Sequence, residues 1–247
     1  MMTKTFTIAV ADIGLGITVD EWFYDEMVAE FLHYASDLKP RYIVTVSVVN
    51  TLRVDRTLPQ GISVRGQLLT GISDEYYGTL DLGRGRGTVT INRTWAMSSL
   101  ANFLKNVVSF LVLSHGGLML HSSGLVRDNE AYVFFGPSGI GKSTVAKVSP
   151  GCTILSDELV AVRPGNHGFR AFGTPSWSED IARERKAANR GVPLRALFKL
   201  VQDTNVYIKE LPYGQALADI LTVPHYVNRE NEMEKVMQNF CTLLINV

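Results

Sequence analysis

The sequence predicts an α/β protein, with an N-terminal α+β module over residues 1–95 and a second domain over residues 96–247. Three patterns carry this prediction. Runs of β-branched and aromatic residues, separated by turn residues, dominate the first part of the chain. A long apolar stretch with helical spacing begins at Trp95. An apolar strand, a glycine-rich loop and a helical turn then follow one another over residues 131–145.

The N-terminal module reads as a set of strands with one helix. Phe6–Val10 alternates like a strand, and Asp20 is a suitable N-cap for the helix that follows. The apolar residues at helical spacing after this cap are Trp22, Phe23, Met27, Phe31 and Leu32. Tyr42–Val49 is a β-branched run typical of a strand. Further strands are predicted over residues 62–69, 76–82 and 88–91.

The GRGRG segment at Gly83–Gly87 has two interpretations, an RNA-binding Gly-Arg tract or a hairpin turn. It is short and flanked by strand patterns, which favours the turn.

The second domain begins with a predicted helix over Trp95–Leu113, which carries its apolar residues on one face. Leu118–Val126 and Tyr132–Phe135 are predicted strands, and the polar residues Arg127–Glu130 between them predict a hairpin loop. No flexible linker marks the boundary near residue 95, so we expect the two modules to pack together.

Composition excludes several classes of protein. Of the 247 residues, 46% are hydrophobic and 19% are charged, which is too apolar for a disordered chain. The 24 basic residues balance 24 acidic ones, so no overall field attracts nucleic acid or an anionic membrane. Cys152 and Cys241 are the two cysteines and lack zinc-site spacing, which argues against a disulfide framework and a structural zinc site.

Residues 106–126 contain no charged side chain and approach the length of a membrane span. Ser114–Gly117 interrupt this stretch, so we interpret it as a buried helix, a turn and a buried strand. The N-terminus is too weakly apolar for a signal peptide. The sequence therefore predicts a soluble, cytoplasmic protein without a membrane partner.

The most informative motif is GPSGIGKST at residues 136–144, which satisfies the phosphate-loop pattern G-x-x-x-x-G-K-[ST]. Backbone amides must turn inward around a phosphate, which requires glycine at Gly136, Gly139 and Gly141. Lys142 can reach the β- and γ-phosphates of ATP, Ser143 can bind Mg²⁺, and the helix beginning near Lys142 directs its positive end at the anion. The residues predicted to bind the nucleotide are Gly136, Pro137, Ser138, Gly139, Ile140, Gly141, Lys142, Ser143 and Thr144.

Two acids follow a short apolar segment after this motif. Thr153–Leu155 predicts a strand that leads into Ser156, Asp157 and Glu158. We expect this strand to lie beside the strand that precedes the phosphate loop. Neighbouring residues of a strand point to opposite faces, so both carboxylates can reach the site only if the chain turns at Ser156.

The succession HSSG (121–124), GPSGIGKST (136–144) and LSDELV (155–160) resembles the HPr serine kinase/phosphorylase family, which is related to the ATP-dependent phosphoenolpyruvate carboxykinases. The chain looks most like the stand-alone branch of HPr-kinase-related proteins, some of which serve peptide or small-molecule pathways. The segments GTPSWSE, PLRALFKL and ELPYGQALADIL also look like that branch, so the resemblance covers roughly residues 118–225.

The resemblance implies a phosphoenolpyruvate-carboxykinase-like, HPr-kinase-like core and an ATP- and Mg²⁺-dependent kinase that acts on a hydroxyl. By position, it makes Asp157 the group that orients or deprotonates the acceptor, Glu158 a metal ligand with Ser143, and Lys142 the phosphate clamp. His121 matches the histidine that precedes the phosphate loop in the family. The family also tends to form oligomers, which makes a homo-oligomer an expectation for this chain.

The chain departs from the family at two points. Thr144 stands where HPr kinases have glutamate, and the second signature used for their phosphorylase reaction is missing. HPr itself is therefore not an expected acceptor, nor is the reverse reaction expected. These departures keep a second hypothesis open: an accessory protein that binds ATP and regulates a partner in a biosynthetic pathway without phosphotransfer. Carboxykinase-like chemistry on a small acid is a third hypothesis, although its additional arginine and metal-binding positions are not found.

A basic segment lies downstream of these motifs. Its cations are Arg183, Arg185, Lys186, Arg190 and Arg195. It could form a basic lid over phosphates, or a solvated helix face whose charge neighbouring acids offset, and the second interpretation is favoured. Trp177 could stack on a nucleotide base or simply pack in the protein.

Overall fold

The structure is a computed structural model that describes residues 2–247 except 56, 58, 177–189, 224 and 226–228, with the side chains of 229–232 also outside the description. The chain is a mixed α/β protein that divides into two compact units. The first unit is Met1–Phe110 with Val227–Glu230, and the second is Leu111–Tyr226 with Asn231–Val247. The predicted boundary after residue 95 stays a prediction.

The described residues of the first unit form one seven-stranded sheet and one complete α-helix. Its elements are β1 (Thr3–Val10), β2 (Ile13–Asp20), α1 (Glu21–Phe31), β3 (Tyr42–Val49), β4 (Gly61–Arg65), β5 (Leu68–Ile72), β6 (Tyr76–Asp81) and β7 (Arg86–Asn92). The strand order is β1-β2-β3-β7-β6-β5-β4, with parallel pairs at β2–β3 and β3–β7. The N-terminal α+β prediction therefore agrees with the elements of this unit.

Two details of the strand prediction were wrong. Residues 62–69 form two strands, β4 and β5, because the chain reverses at Gly66, which has a φ of 59°. β2 was not predicted, because Gly14 and Gly16 dilute its pattern. The GRGRG segment does form a hairpin turn between β6 and β7, in which the amide of Gly85 donates to the carbonyl of Asp81 at 2.8 Å.

Helix α2 (Ala96–Ser114) confirms the long apolar helix of the prediction. The combined helical stretch Arg93–Ser114 is long and apolar enough to cross a membrane, but 67% of its most apolar window is buried in the protein. Core helices of soluble proteins meet the same criterion, so the length and composition of this helix do not decide its environment. The predicted cytoplasmic location stays a prediction.

The second unit is built around a closed ring of strands. Its elements are β8 (Leu118–Arg127), β9 (Glu130–Phe135), α3 (Lys142–Val148), β10 (Thr153–Ser156), β11 (Leu159–Gly165), β12 (Gly168–Phe172), β13 (Val192–Lys199), α4 (Tyr213–Ile220) and α5 (Arg229–Ile245). The strands β8-β11-β12-β13-β9 pair in this order, and β9 pairs back with β8, so the five form a barrel. β10 pairs with β8 outside this ring.

The β8–β9 hairpin positions the segment that leads into the glycine-rich motif. Asp128 and Asn129 form its turn with φ of 51° and 62°, which confirms the hairpin loop predicted at Arg127–Glu130. Buried apolar side chains of both strands, such as Leu120 and Val133, pack with Phe240 of α5 in one core. The barrel therefore holds β8 and β9 firmly at the base of the candidate site.

Candidate functional site

A glycine loop, residues 136–144, joins β9 to α3. β9 ends at Phe135 and α3 begins at Lys142, in agreement with the predicted strand, loop and helix. Gly136, Gly139 and Gly141 have φ of 152°, 77° and 112°. Side chains disfavour these backbone conformations. The prediction that the loop requires glycine at these three positions is therefore confirmed.

Lys142 is folded into the loop rather than extended into solvent. Its side chain is buried, with 7% of the residue exposed. Its Nζ donates to the carbonyl oxygens of Gly136 at 3.1 Å and Pro137 at 3.0 Å. Burial lowers the pKa of Lys142 below its ordinary value of 10.5. Because α3 has only seven residues, this ammonium group is the main positive charge of the loop.

Strand β8 brings His121 to the level of the glycine loop. Ser122 pairs with Phe135, the last residue of β9, and the loop starts at the next residue. On the other edge of β8, His121 pairs with Leu159, the first residue of β11. Strand pairing fixes these positions along the sheet, so His121, the glycine loop and the segment before β11 meet at one end of the barrel.

Asp157 and Glu158 occupy a bend between β10 and β11 at this same end. β10 pairs with β8 and not with β9, so the prediction that the acids follow a strand beside β9 was wrong. The reason is the length of β8, whose ten residues pair with β11 along the first part and with β10 along the second. The acids still reach the loop, because β8 is adjacent to both β9 and β10.

The bend itself confirms the turn that the sequence requires at Ser156. The amides of Glu158 and Leu159 donate to Ser156 Oγ at 3.1 and 3.0 Å. Asp157 is buried, with 3% of the residue exposed, and Glu158 is half-buried. The chain therefore leaves the extended conformation at the point where two adjacent carboxylates have to face one site.

One cavity of about 320 Å³ collects most of the predicted site residues. Its lining residues are His121, Ser138, Gly139, Gly141, Lys142, Ser143, Thr144, Asp157 and Glu158. This volume lies at the lower end of the range of small-molecule sites, roughly 300 to 1,000 Å³. Gly136, Pro137 and Ile140 do not line the cavity. The first two supply the carbonyls that hold Lys142, and the Cγ2 of Ile140 lies close to Gly136, 3.2 Å from where a Cβ would stand.

The family match includes every residue that lines this cavity. The family model described as SynChlorMet cassette protein ScmC matches residues 88–245, well over half of the 247 residues. The chain belongs to the ScmC family. No curated protein matches the chain. The resemblance to HPr kinases rests on the motifs quoted above and stays a prediction.

The metal-binding prediction for this ScmC-family protein rests on Ser143 and Glu158, which line the same cavity. Among the described residues, no group of three or more histidine, cysteine, aspartate or glutamate side chains could hold a metal ion. A Mg²⁺ ion at this place would therefore depend on other oxygen ligands. Phosphate oxygens and water are its common partners in nucleotide sites.

Sequence reasoning missed two buried hydroxyl groups next to the acids, Ser156 before them and Thr174 beside Leu159. Ser156 Oγ donates to the carbonyl of Ser176 at 2.7 Å, and Thr174 Oγ1 donates to the carbonyl of Leu159 at 2.7 Å. The signal that could have revealed Ser156 is local, since a serine that starts a bend often accepts from the amides two and three residues later. Thr174 has no such signal, because its partner is distant in sequence.

A second, larger cavity of about 510 Å³ lies at the β8–β9 turn. It is lined in part by Arg127, Asp128 and Cys152, and it contains neither the glycine loop nor the acids. Arg127 and Asp128 are exposed and form an ion pair at 3.6 Å. Its size alone does not make it a better candidate site, because its charged groups, Arg127, Asp128 and Arg190, are exposed to solvent.

The basic segment of the prediction is described in part. Trp177, Arg183, Arg185 and Lys186 lie outside the described residues, and Arg190 lines the second cavity. Arg195, on β13, approaches Glu130 on β9 at 3.9 Å between its Nε and the carboxylate. The helix-face interpretation was wrong for Arg195, because this residue lies on a strand. For the residues outside the description, neither the lid nor the helix face is tested.

Proposed function

We propose that this protein is an ATP- and Mg²⁺-dependent kinase that transfers the γ-phosphate to a hydroxyl group. One observation carries the proposal: a single cavity collects Lys142 and Ser143 of the glycine loop with Asp157 and Glu158 of the bend. The proposal includes a phosphate-binding core of the phosphoenolpyruvate-carboxykinase and HPr-kinase type, and a cytoplasmic location. The acceptor is a seryl side chain of a protein or peptide, or a hydroxyl of a small molecule.

The donors and acceptors in the cavity suit a metal–nucleotide complex. Three glycines with left-handed backbone leave the loop free of β-carbons where phosphate oxygens approach. Lys142 uses two donors on loop carbonyls, and an ammonium group has three, so one is available for a phosphate. Ser143 and Glu158 provide the hydroxyl and carboxylate oxygens that Mg²⁺ prefers.

Each side chain then has a defined task. Lys142 neutralises charge on the transferred phosphoryl group, and bound Mg²⁺ supplies further charge neutralisation there. Asp157 orients the acceptor hydroxyl and takes its proton as the oxygen–phosphorus bond forms and the bond to the β-phosphate oxygen breaks. His121 lines the cavity beside the bend and can hydrogen-bond an oxygen of the phosphate or acceptor.

The alternative is an accessory protein that binds ATP and changes a partner without transferring phosphate. Thr144 favours it, because it lines the cavity where HPr kinases have an acid. Both functions use the same phosphate site, so nucleotide binding alone does not distinguish them. They differ in whether Asp157 has a chemical task.

The decisive experiment measures ATP binding and phosphate transfer separately for wild type, Lys142→Ala and Asp157→Asn, with Mg²⁺ and a panel of hydroxyl acceptors. Lys142→Ala should weaken ATP binding by about 10- to 100-fold, because a charge-assisted hydrogen bond is lost. Asp157→Asn should bind ATP as wild type does, while transfer falls by about 10²- to 10⁴-fold through loss of the base.

Two matched variants serve as controls. Lys147→Ala removes an exposed lysine from the same helix, and Asp128→Asn neutralises an exposed acid in the β8–β9 turn. Both should leave binding and transfer unchanged. Tight ATP binding by wild type without transfer or hydrolysis would favour the accessory function, and absence of ATP binding would contradict both.

A further inference from the structure

The hydroxyl of Ser156 is completely engaged in hydrogen bonds at the base of the acidic bend. Ser156 is fully buried. Its Oγ accepts from the amides of Glu158 and Leu159 at 3.1 and 3.0 Å, and donates to the carbonyl of Ser176 at 2.7 Å. A hydroxyl offers one donor and two acceptor positions, so its capacity is used in full.

These bonds add to a backbone bond that ties the bend to β8, in which the amide of Ser122 donates to the carbonyl of Glu158 at 3.0 Å. The register with β8 shifts between Ile154 and Ser156, and β-pairing resumes where Leu159 faces His121. Asp157 and Glu158 lie between these two points and both line the cavity. In an extended strand they would point to opposite faces. The Ser156 hydroxyl satisfies two backbone amides in the conformation that directs both acids to one place.

The same hydroxyl also ties the bend to a distant segment. Ser176 and Thr174 follow β12, and each is linked to the bend region by a hydroxyl–carbonyl bond of 2.7 Å. Thr174 is also buried, and its 2.7 Å bond goes to the carbonyl of Leu159 and not to an amide of the bend. Thr174 therefore provides a matched comparison for a buried hydroxyl outside the bend.

We propose that Ser156 is a positioning residue, which holds Asp157 and Glu158 in the orientation that faces the glycine loop. Ser156 does not line the cavity and acts through the two acids. This inference rests on the kinase proposal for the tasks of Asp157 and Glu158. It adds that the Ser156 hydroxyl contributes to the gain in ATP affinity that Mg²⁺ provides. The affinity of the glycine loop itself for phosphate does not depend on this hydroxyl.

The test compares Ser156→Ala, Ser156→Thr and Thr174→Val in the full-length protein. Amide hydrogen exchange of residues 157–160 reports on the bend. The dissociation constant of ATP is measured with Mg²⁺ and again with EDTA, and ATP turnover is measured with water or an acceptor. The ratio of the two dissociation constants isolates the contribution of the metal.

Ser156→Ala should speed exchange of the Glu158 and Leu159 amides and reduce the Mg²⁺-dependent gain in ATP affinity by about 10- to 100-fold, as for other residues that orient metal ligands. Binding in EDTA should remain within about twofold of wild type, because the glycine loop is unchanged. ATP turnover should fall by about 10²-fold, since small misplacements of catalytic groups have effects of this size.

Ser156→Thr, which keeps the hydroxyl, should restore the metal dependence. Thr174→Val should lower thermal stability and leave the metal dependence intact.

Three outcomes would overturn the inference. The first is wild-type exchange and metal dependence in Ser156→Ala. The second is equal loss of ATP binding with and without Mg²⁺, which would mean that Ser156 only stabilises the fold. The third is a Thr174→Val variant that behaves like Ser156→Ala. If wild type itself binds no ATP, the kinase proposal fails, and exchange at Glu158 and Leu159 still decides whether Ser156 holds the bend.

Discussion

Lys142 is a buried ammonium group whose described hydrogen bonds go to two neutral carbonyl oxygens. Burial with no carboxylate partner among the described residues disfavours its charged form, and its pKa is therefore lowered. In the unliganded protein this works against stability at neutral pH. The penalty is fully present below the lowered pKa, shrinks as pH rises above it, and is gone above 10.5, where the unfolded lysine is also neutral. A bound phosphate would reverse the preference by stabilising the charged form.

ATP affinity should therefore fall as pH rises, and the fall should begin below pH 10.5. Binding titrations between about pH 7 and pH 11 would measure it, because this range extends past the ordinary lysine pKa. Lys142→Arg is the control, because a guanidinium group stays charged over this range and its binding curve should be flat. Wild-type affinity that stays constant through pH 10.5 would contradict a role for the Lys142 charge in binding phosphate.

Much of the candidate site could be predicted at the level of single residues. The loop needs glycine for its backbone conformation and lysine for its charge. Both residue types can be read from the nine consecutive residues 136–144. The turn before Asp157 could also be predicted, because adjacent strand residues cannot share a face. Thr174 and the carbonyl of Ser176 could not be predicted, since their partners lie 15 and 20 residues away and depend on how β12 pairs.

Strands and turns were predicted where side chains carry a local signal. β3 has the predicted bounds, and the β8–β9 hairpin follows from its polar turn. β2 could not be predicted, because its glycines are selected by tertiary packing: a Cβ on Gly16 would lie 3.1 Å from Ile43 and 3.3 Å from Pro40. The local pattern is weakened at the positions where neighbouring elements approach most closely.

The β8–β9 turn provides a test at the level of the hairpin. Asn129 has a φ of 62°, which asparagine and glycine tolerate and β-branched residues do not. Asn129→Val should lower the free energy of unfolding by about 1 to 2 kcal/mol. Asn129→Gly should stay within about 0.5 kcal/mol of wild type. Urea denaturation of both variants would measure this, and equal stability of the two would contradict the observed turn conformation.

At the scale of the whole molecule, the candidate site belongs to one unit. All residues that line the cavity lie between Leu111 and Tyr226, and the family match extends from residue 88 to residue 245. The net charge of the chain is zero, and the candidate anion site depends on one lysine, Lys142, in one loop. The overall charge therefore could not reveal this site. The sheet of the first unit contributes none of the cavity's lining residues.

Binding of ATP with Mg²⁺ should therefore slow amide hydrogen exchange in residues 136–144 and 156–159, and leave β3 and β7 of the first unit unchanged. The physical reason is that a ligand reduces opening of the segments it contacts. Hydrogen exchange with mass spectrometry would measure it, with Lys142→Ala as the variant expected to show little protection. Protection confined to the first unit would place the nucleotide elsewhere.

The closed barrel has one more consequence. Each of its five strands is hydrogen-bonded to a neighbour on both sides, so removing any one strand would break two pairings. β8 pairs with three strands, and sliding it by one residue would break all three registers and exchange His121 with Ser122 at the cavity. The geometry of the site is therefore tied to the registers of β8 with β9, β10 and β11. A chain in which β8 is out of register would present a different pocket, so we expect nucleotide affinity to appear only once β8 has paired correctly.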